Sequence, residues 1–158
     1  MANLLQEDVR KSADILGWWH RRMRDVQYYA GSGSEFDEWV AGGGKDIGLE
    51  CKMITDNSKS FAFNKVSQTQ MEGMIEFEKQ WNHKSFLLIN FRWIDHKKGK
   101  CFALPISEFL YLQYAMPNFE EYQEKYPRNE KSIPLDYFEE CVLELPRYEK
   151  GWDLRMLL

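Results

Sequence analysis

An alternating stretch that begins at Lys45 constrains the fold of this chain more than any other feature. Its two interleaved sets are the apolar Ile47, Leu49, Cys51 and Met53 and the mostly polar Asp46, Gly48, Glu50 and Lys52. A period of two is typical of a β-strand with one buried face. The preceding Gly43-Gly44 pair suits a two-residue turn in which both central residues need positive φ. The sequence therefore predicts a β-hairpin with strands over about 34–41 and 45–53.

The turn determines which charged residues meet across the hairpin. If Gly42 faces Lys45, antiparallel pairing places Asp37 directly opposite Glu50. Like charges at that separation destabilise a sheet. A divalent cation between the two carboxylates would convert the repulsion into a binding site. Lys52 projects from the same face, so the pattern predicts a metal site with a lysine beside it.

Two carboxylates and a lysine on one strand face indicate metal-assisted hydrolysis. Mg²⁺ or Mn²⁺ needs few protein carboxylates when water and phosphate oxygens complete its coordination. Such an ion polarises a phosphoryl oxygen, and a nearby ammonium stabilises developing charge. An ordinary solvated strand face is the alternative interpretation. Asp46 lies on the same face and would compete with Asp37 if a bulge changed the register.

The residues after the hairpin resemble a known family. Glu50-Cys51-Lys52 is followed by Lys59-Ser60-Phe61, by VSQTQMEGM over 66–74 and by Lys131-Ser132-Ile133. In order and spacing these segments resemble the RecU family of Holliday junction resolvases, in the PD-(D/E)xK nuclease superfamily, over about residues 34–150. The chain departs from the family pattern at Cys51, Ala62 and Gly73. About thirty residues precede Asp37, where the family has a longer segment with a stalk that enters the junction. Nuclease chemistry is therefore better supported than selectivity for four-way junctions.

The resemblance implies a set of site residues. The implied catalytic residues are Asp37, Glu50, Lys52 and Gln70. The implied metal ligands are Asp37, Glu50 and the backbone carbonyl of Cys51. Glu7 is a further metal-ligand candidate, because N-terminal helices of the superfamily often supply an acid, although a surface glutamate is the alternative. The resemblance also implies branched or four-way DNA as substrate, Mg²⁺ or Mn²⁺ as cofactor, and a homodimer, since resolving a junction takes two nicks.

The predicted fold is α/β, a restriction-endonuclease-like mixed β-sheet flanked by helices. We expect one domain over 1–158, made of a helical segment (1–30), a catalytic core (34–115) and a C-terminal segment (116–158). Within these parts we expect a polar loop at 54–64, a helix at 66–82, buried strands at 86–91 and 101–104, a helix ending near 114 and a short helix near 134–140.

Basic residues near these segments are candidates for DNA contact. Those on the N-terminal segment are Arg21, Arg22 and Arg24, which lie between aromatic pairs at 18–19 and 28–29. Lys59 and Lys65 flank the helix that carries Gln70. Interleaved basic and aromatic residues can bind phosphates and stack on bases. Arginines that lie over a partly buried helix, and lysines of a solvated loop, are the alternatives.

Composition limits the functional classes. A net charge of −4 argues against a diffuse basic DNA-binding protein, although a local basic patch is compatible with it. The sequence has no run of eighteen apolar residues and no signal peptide, which predicts a cytoplasmic protein without membrane contact. The family resemblance implies a bacterial or phage origin. The alternatives are a flap, branch or duplex nuclease, a non-catalytic DNA-binding recombination accessory protein, and a small-molecule or structural protein.

Overall fold

The computed structural model describes residues 4–23, 36–94, 99–127 and 131–158. The helices are α1 (Leu4–Ile15), α2 (Gln68–Glu78), α3 (Ile106–Tyr114), α4 (Glu120–Lys125) and α5 (Leu135–Cys141). The strands are β1 (Trp19–Arg22), β2 (Glu38–Gly42), β3 (Lys45–Ile54), β4 (Ser60–Ala62), β5 (His83–Phe91), β6 (Lys100–Pro105), β7 (Ser132–Pro134), β8 (Leu143–Leu145), β9 (Arg147–Tyr148) and β10 (Gly151–Trp152). Short 3₁₀ helices lie at Phe63–Lys65, Met116–Asn118 and Leu154–Leu157.

Within the described residues, six strands form the main sheet, in the order β1-β2-β3-β5-β6-β8. Strands β3 and β5 are parallel, and the other neighbours are antiparallel. Helix α1 packs on one face, where Leu5 and Val9 join a buried cluster with Leu49. Helices α2 and α3 cover the other face, where Met74 packs with Leu87. This architecture confirms the predicted α/β, restriction-endonuclease-like mixed sheet flanked by helices.

The predicted hairpin is confirmed in its turn and in its register over Glu38–Gly42. Gly43 and Gly44 have φ of 59° and 78°, and Gly42 faces Lys45. The first strand begins at Glu38, four residues later than expected, and residues 34 and 35 lie outside the described ranges. The predicted direct pair of Asp37 with Glu50 is wrong, because the ladder ends at the Glu38–Leu49 pair and the Asp37 N–H donates to the same Leu49 carbonyl (3.1 Å). Two residues facing one is the pattern of a β-bulge, which offsets Asp37 by one position.

The other core elements lie close to their expected positions. Strand β5 contains the predicted run at 86–91 and is buried between both helical layers, which explains its continuous apolar sequence. Helix α2 is shorter than the predicted 66–82, because Ser67 caps its first turn and the helix ends at Glu78. Strand β6 and helices α3 and α5 confirm the remaining predictions.

The prediction of a helix in the N-terminal segment is wrong beyond Ile15. Gly17 adopts a φ of +67°, which ends the helix, and β1 then pairs antiparallel with β2 at the edge of the sheet. Residues 24–30 of that segment lie outside the described ranges. The short-range apolar stripe could not reveal a strand whose partners are about twenty residues away in sequence.

The prediction of a loop without secondary structure at 54–64 is also wrong in part. Strand β4 lies within it and pairs antiparallel with β7, which brings Phe61 opposite Ile133. Three residues are too few to show a periodic signal, and the partner strand is more than seventy residues away. The C-terminal segment likewise adds β8 to the main sheet beside β6.

Among the described residues, no helix has the length and apolar character needed to cross a membrane.

Candidate active site

Asp37 and Glu50 lie on neighbouring strands, where the hairpin meets α2. The backbone N–H of Cys51 donates to Asp37 Oδ2 (2.8 Å), which ties the aspartate to β3 next to Glu50. Glu50 is 2% exposed, whereas Asp37 is partly exposed. Glu50 projects to the face covered by α2, where its carboxylate contacts Gln70, and the negative charge of Asp37 acts on it. The structure therefore brings the two carboxylates close together, although Asp37 is offset by one position from the directly opposed pair that the sequence predicted.

Lys52 and Gln70 complete the cluster around the Glu50 carboxylate. Lys52 Nζ lies 2.7 Å from Glu50 Oε1 and donates to Gln70 Oε1 over 3.3 Å. Gln70 Nε2 donates to the same Glu50 oxygen over 2.6 Å. Three side chains from β3 and α2 thus hold one another in a triangle of hydrogen bonds, with Asp37 at its edge.

Ser67 fixes the position of Gln70, and sequence reasoning did not single it out. Its hydroxyl accepts from the Gln70 N–H (3.2 Å), and its own N–H donates to Gln70 Oε1 (3.0 Å). These reciprocal bonds form a capping box, which fixes a helix start. The S-x-x-Q spacing at 67–70 was the signal from which the capping box could have been predicted. Because of the capping box, the Gln70 amide both caps α2 and contacts Glu50 and Lys52.

Glu38 stabilises the beginning of β2 from the opposite face of the sheet. It is fully buried and forms an ion pair with Arg10 of α1. Asp37 is the preceding residue, so this pair holds the strand end that carries the aspartate. Sequence reasoning did not single out Glu38, because its partner lies on a helix that is remote in sequence.

The environment of Glu50 disfavours its charged form. Burial, and after it the negative charge of Asp37, raise the pKa of Glu50 to about 7 against the opposing effect of Lys52. Among the described residues, Glu50 Oε2 is buried without a hydrogen-bond partner. A buried, unpartnered carboxylate oxygen beside a second carboxylate is a site that a cation would stabilise.

The donor set fits a hard divalent cation that retains water ligands. The described residues contain no group of three or more Asp, Glu, His or Cys side chains placed to hold a metal ion. Two carboxylates suffice for Mg²⁺ when water and phosphate oxygens supply the rest. The role of the Cys51 carbonyl as a ligand stays a prediction.

Glu7 and Asp46 lie apart from this cluster. Glu7 is exposed on α1, which packs on the sheet face opposite to α2, and its charge acts on Arg10. It is not grouped with Asp37 and Glu50, and its metal role stays a prediction. Asp46 accepts from Trp39 Nε1 (2.9 Å) near the turn. Because the register is intact over Glu38–Gly42, Asp46 does not take the place of Asp37.

The candidate DNA-contacting residues divide between the two faces of the sheet edge. Arg21 pairs with Trp39, which contacts Phe77 of α2, whereas Arg22 pairs with the α1-facing Glu38. Both arginines are exposed, as are Lys59 and Lys65. Arg24 lies outside the described residues.

Comparisons with known proteins support the fold. Neither a protein-family model nor a curated protein matches the chain. Among solved structures, the chain matches that of Hjc from Archaeoglobus fulgidus, a Holliday junction resolvase from an archaeal hyperthermophile. The match has a TM-score of 0.50 and 16% identity, and it covers 89% of this chain and 93% of that one. The chain therefore has a fold similar to that of this resolvase, while the RecU family in particular stays a prediction.

Proposed function

We propose that this protein is a divalent-metal-dependent DNA endonuclease that hydrolyses phosphodiester bonds in branched DNA. The observation that carries the proposal is the buried Glu50 carboxylate. One of its oxygens is held by Lys52 and Gln70, and the other is unpartnered among the described residues. The Asp37 carboxylate is close enough for its charge to act on Glu50. The resolvase-like fold supports nuclease chemistry at this position.

In this proposal the residues have separate roles. Asp37 and Glu50, with the Cys51 carbonyl, hold Mg²⁺ or Mn²⁺, which polarises the phosphoryl oxygen and lowers the pKa of bound water when it is present. Lys52 donates to the attacking water or to a phosphoryl oxygen, so that the attack occurs in line at phosphorus. Gln70 keeps the Lys52 ammonium and the Glu50 carboxylate in a fixed relative position.

The basic residues of the same face suggest how DNA is held. Arg21 lies at the sheet edge beside β2, and Lys65 comes two residues before the cap of α2. We propose that these cations contact phosphates on either side of the cleaved bond, together with Lys59. Arg22 projects to the other face and is expected to contribute less.

The four-way junction is the first substrate to test, because the matched fold belongs to a protein described as a Holliday junction resolvase. Resolution needs two nicks, so the proposal includes a homodimer acting in recombination. A flap, branch or duplex nuclease with the same metal site is the second candidate, and a non-catalytic DNA-binding protein is the third.

The experiment is cleavage of labelled four-way junction, flap and linear duplex with and without Mg²⁺. Asp37→Asn and Lys52→Ala should each abolish cleavage, whereas Asp46→Asn, a carboxylate of the same sheet face, should retain it. Paired symmetric nicks in the junction would support a resolvase, and cleavage of flap or duplex alone would favour the second candidate. Equal cleavage by Asp37→Asn and wild type would refute the proposed site.

A further inference from the structure

A cavity of about 460 Å³ opens beside the N-terminal end of α2. Its walls come from the 3₁₀ turn before α2, from the end of α3 and from the segment that leads into β7. The residues that line it are Phe63, Asn64, Val66, Gln113, Tyr114 and Lys131. The cavity is therefore built from three separate parts of the chain and belongs to the tertiary structure.

The cavity and the candidate active site share one continuous segment. Val66 lines the cavity, and the next residue, Ser67, donates its N–H to Gln70 Oε1. The same Gln70 oxygen accepts from Lys52. A ligand in the cavity would therefore lie beside the segment whose backbone holds Gln70, and Gln70 in turn contacts the Lys52 proposed to act at the phosphate.

The lining combines aromatic surface with polar groups suited to a nucleobase. Tyr114 is 64% exposed at the cavity and can stack on a base, and Phe63 supplies a buried apolar wall. Asn64 and Gln113 add amide side chains to the lining. The exposed Lys131 ammonium suits the attached phosphate.

We infer that this cavity receives an unpaired nucleotide of the DNA, next to the bond that is cleaved. The inference rests on the proposed nuclease function and specifies its substrate class. A base in continuous duplex is stacked on both sides and its amino group is paired, so it enters such a cavity only after extrusion. Flaps and branch points with a single-stranded gap supply unpaired nucleotides without that cost, whereas a fully paired four-way junction must open one base pair. The protein should therefore prefer DNA with an unpaired nucleotide at the cleavage site over perfect duplex.

Stacking is tested by fluorescence of 2-aminopurine placed at the unpaired position, in a Lys52→Ala background that prevents cleavage. Binding should quench the probe, and Tyr114→Ala should remove the quenching and weaken binding by about tenfold, while Tyr114→Phe retains both. Tyr111→Ala is the matched control, since Tyr111 is 49% exposed one turn earlier on α3 and contacts Phe119 instead. Equal quenching by the Tyr114→Ala and Tyr111→Ala variants, or no quenching at all, would overturn the inference.

These measurements separate the cavity from the catalytic proposal. Quenching in a protein that cleaves nothing would keep the cavity and refute the nuclease. Mg²⁺-dependent cleavage that is equally fast on duplex and on DNA with an unpaired nucleotide, and equally fast with Tyr114→Ala, would keep the nuclease and refute the cavity.

Discussion

Replacing Glu50 with glutamine tests whether the buried carboxylate lowers the free energy of unfolding in the absence of metal. Glu50 is 2% exposed, and burial together with the nearby charge of Asp37 raises its pKa to about 7 from an ordinary value of 4.5. A carboxyl group whose pKa is higher in the folded state binds more protons folded than unfolded. The free energy of unfolding therefore falls as pH rises from about 4.5 to 7, and stays low above pH 7.

The magnitude follows from the two pKa values. Their difference corresponds to a loss of about 3 kcal/mol at pH 8 in the absence of metal. Glutamine has nearly the same shape and does not titrate. The Glu50→Gln variant should therefore be about as stable as wild type near pH 4.5 and more stable by up to about 3 kcal/mol at pH 8. For a chain of this length that gain corresponds to roughly 10 °C in melting temperature.

The assay is thermal or urea unfolding of both proteins between pH 5 and 8 in EDTA, repeated with Mg²⁺. Without metal, the difference in stability should grow with pH by no more than about 1.4 kcal/mol per pH unit. Mg²⁺ should stabilise wild type and leave Glu50→Gln unchanged, while the variant loses cleavage. Asp37→Asn should recover part of the same stability, because Asp37 is the second cause of the raised pKa. A difference that does not change with pH, or a variant less stable than wild type throughout, would refute the reasoning.

Other residues give independent tests. Gln70→Ala should lower the cleavage rate and also destabilise the protein by about 1 kcal/mol, because the capping box of α2 is lost. Gln70→Glu should retain the cap. Comparing thermal melts followed by circular dichroism with cleavage rates separates the effect on stability from the effect on catalysis. Arg21→Ala should weaken DNA binding and reduce the salt dependence of the affinity by about one ion, while Arg22→Ala should change both quantities less. Fluorescence anisotropy at several salt concentrations measures the affinity of each variant. Equal effects of the two variants would contradict the assignment of Arg21 and Arg22 to opposite faces of the sheet. Gly44→Ala should cost about 1–2 kcal/mol without changing cleavage, because φ is +78° and an added Cβ meets no atom within 4 Å. An unfolding curve identical to that of wild type would show that the turn conformation is wrong.

Some features of the fold were accessible from the sequence because they depend on neighbouring residues. The Gly43-Gly44 turn sets the hairpin register through local backbone geometry, and the alternation in β3 sets which side chains share a face. The buried strand β5 was visible as a continuous apolar run. Strand β1 and the pairing of β4 with β7 were not accessible, because short strands carry little periodic signal and their partners are remote.

The candidate site shows the same division. A two-residue turn and a period of two were sufficient to place Glu50 and Lys52 on one face of β3, beside the strand end that carries Asp37. Tertiary packing set the remaining relations. Asp37 is offset by one position from Glu50, Gln70 bridges Glu50 and Lys52, and Arg21 rather than Arg22 lies on the α2 side. Gln113 and Tyr114 line a cavity beside α2. Those relations depend on how α2, α3 and the edge strand pack on the sheet. Packing is set by the burial of many side chains together, which no local pattern records.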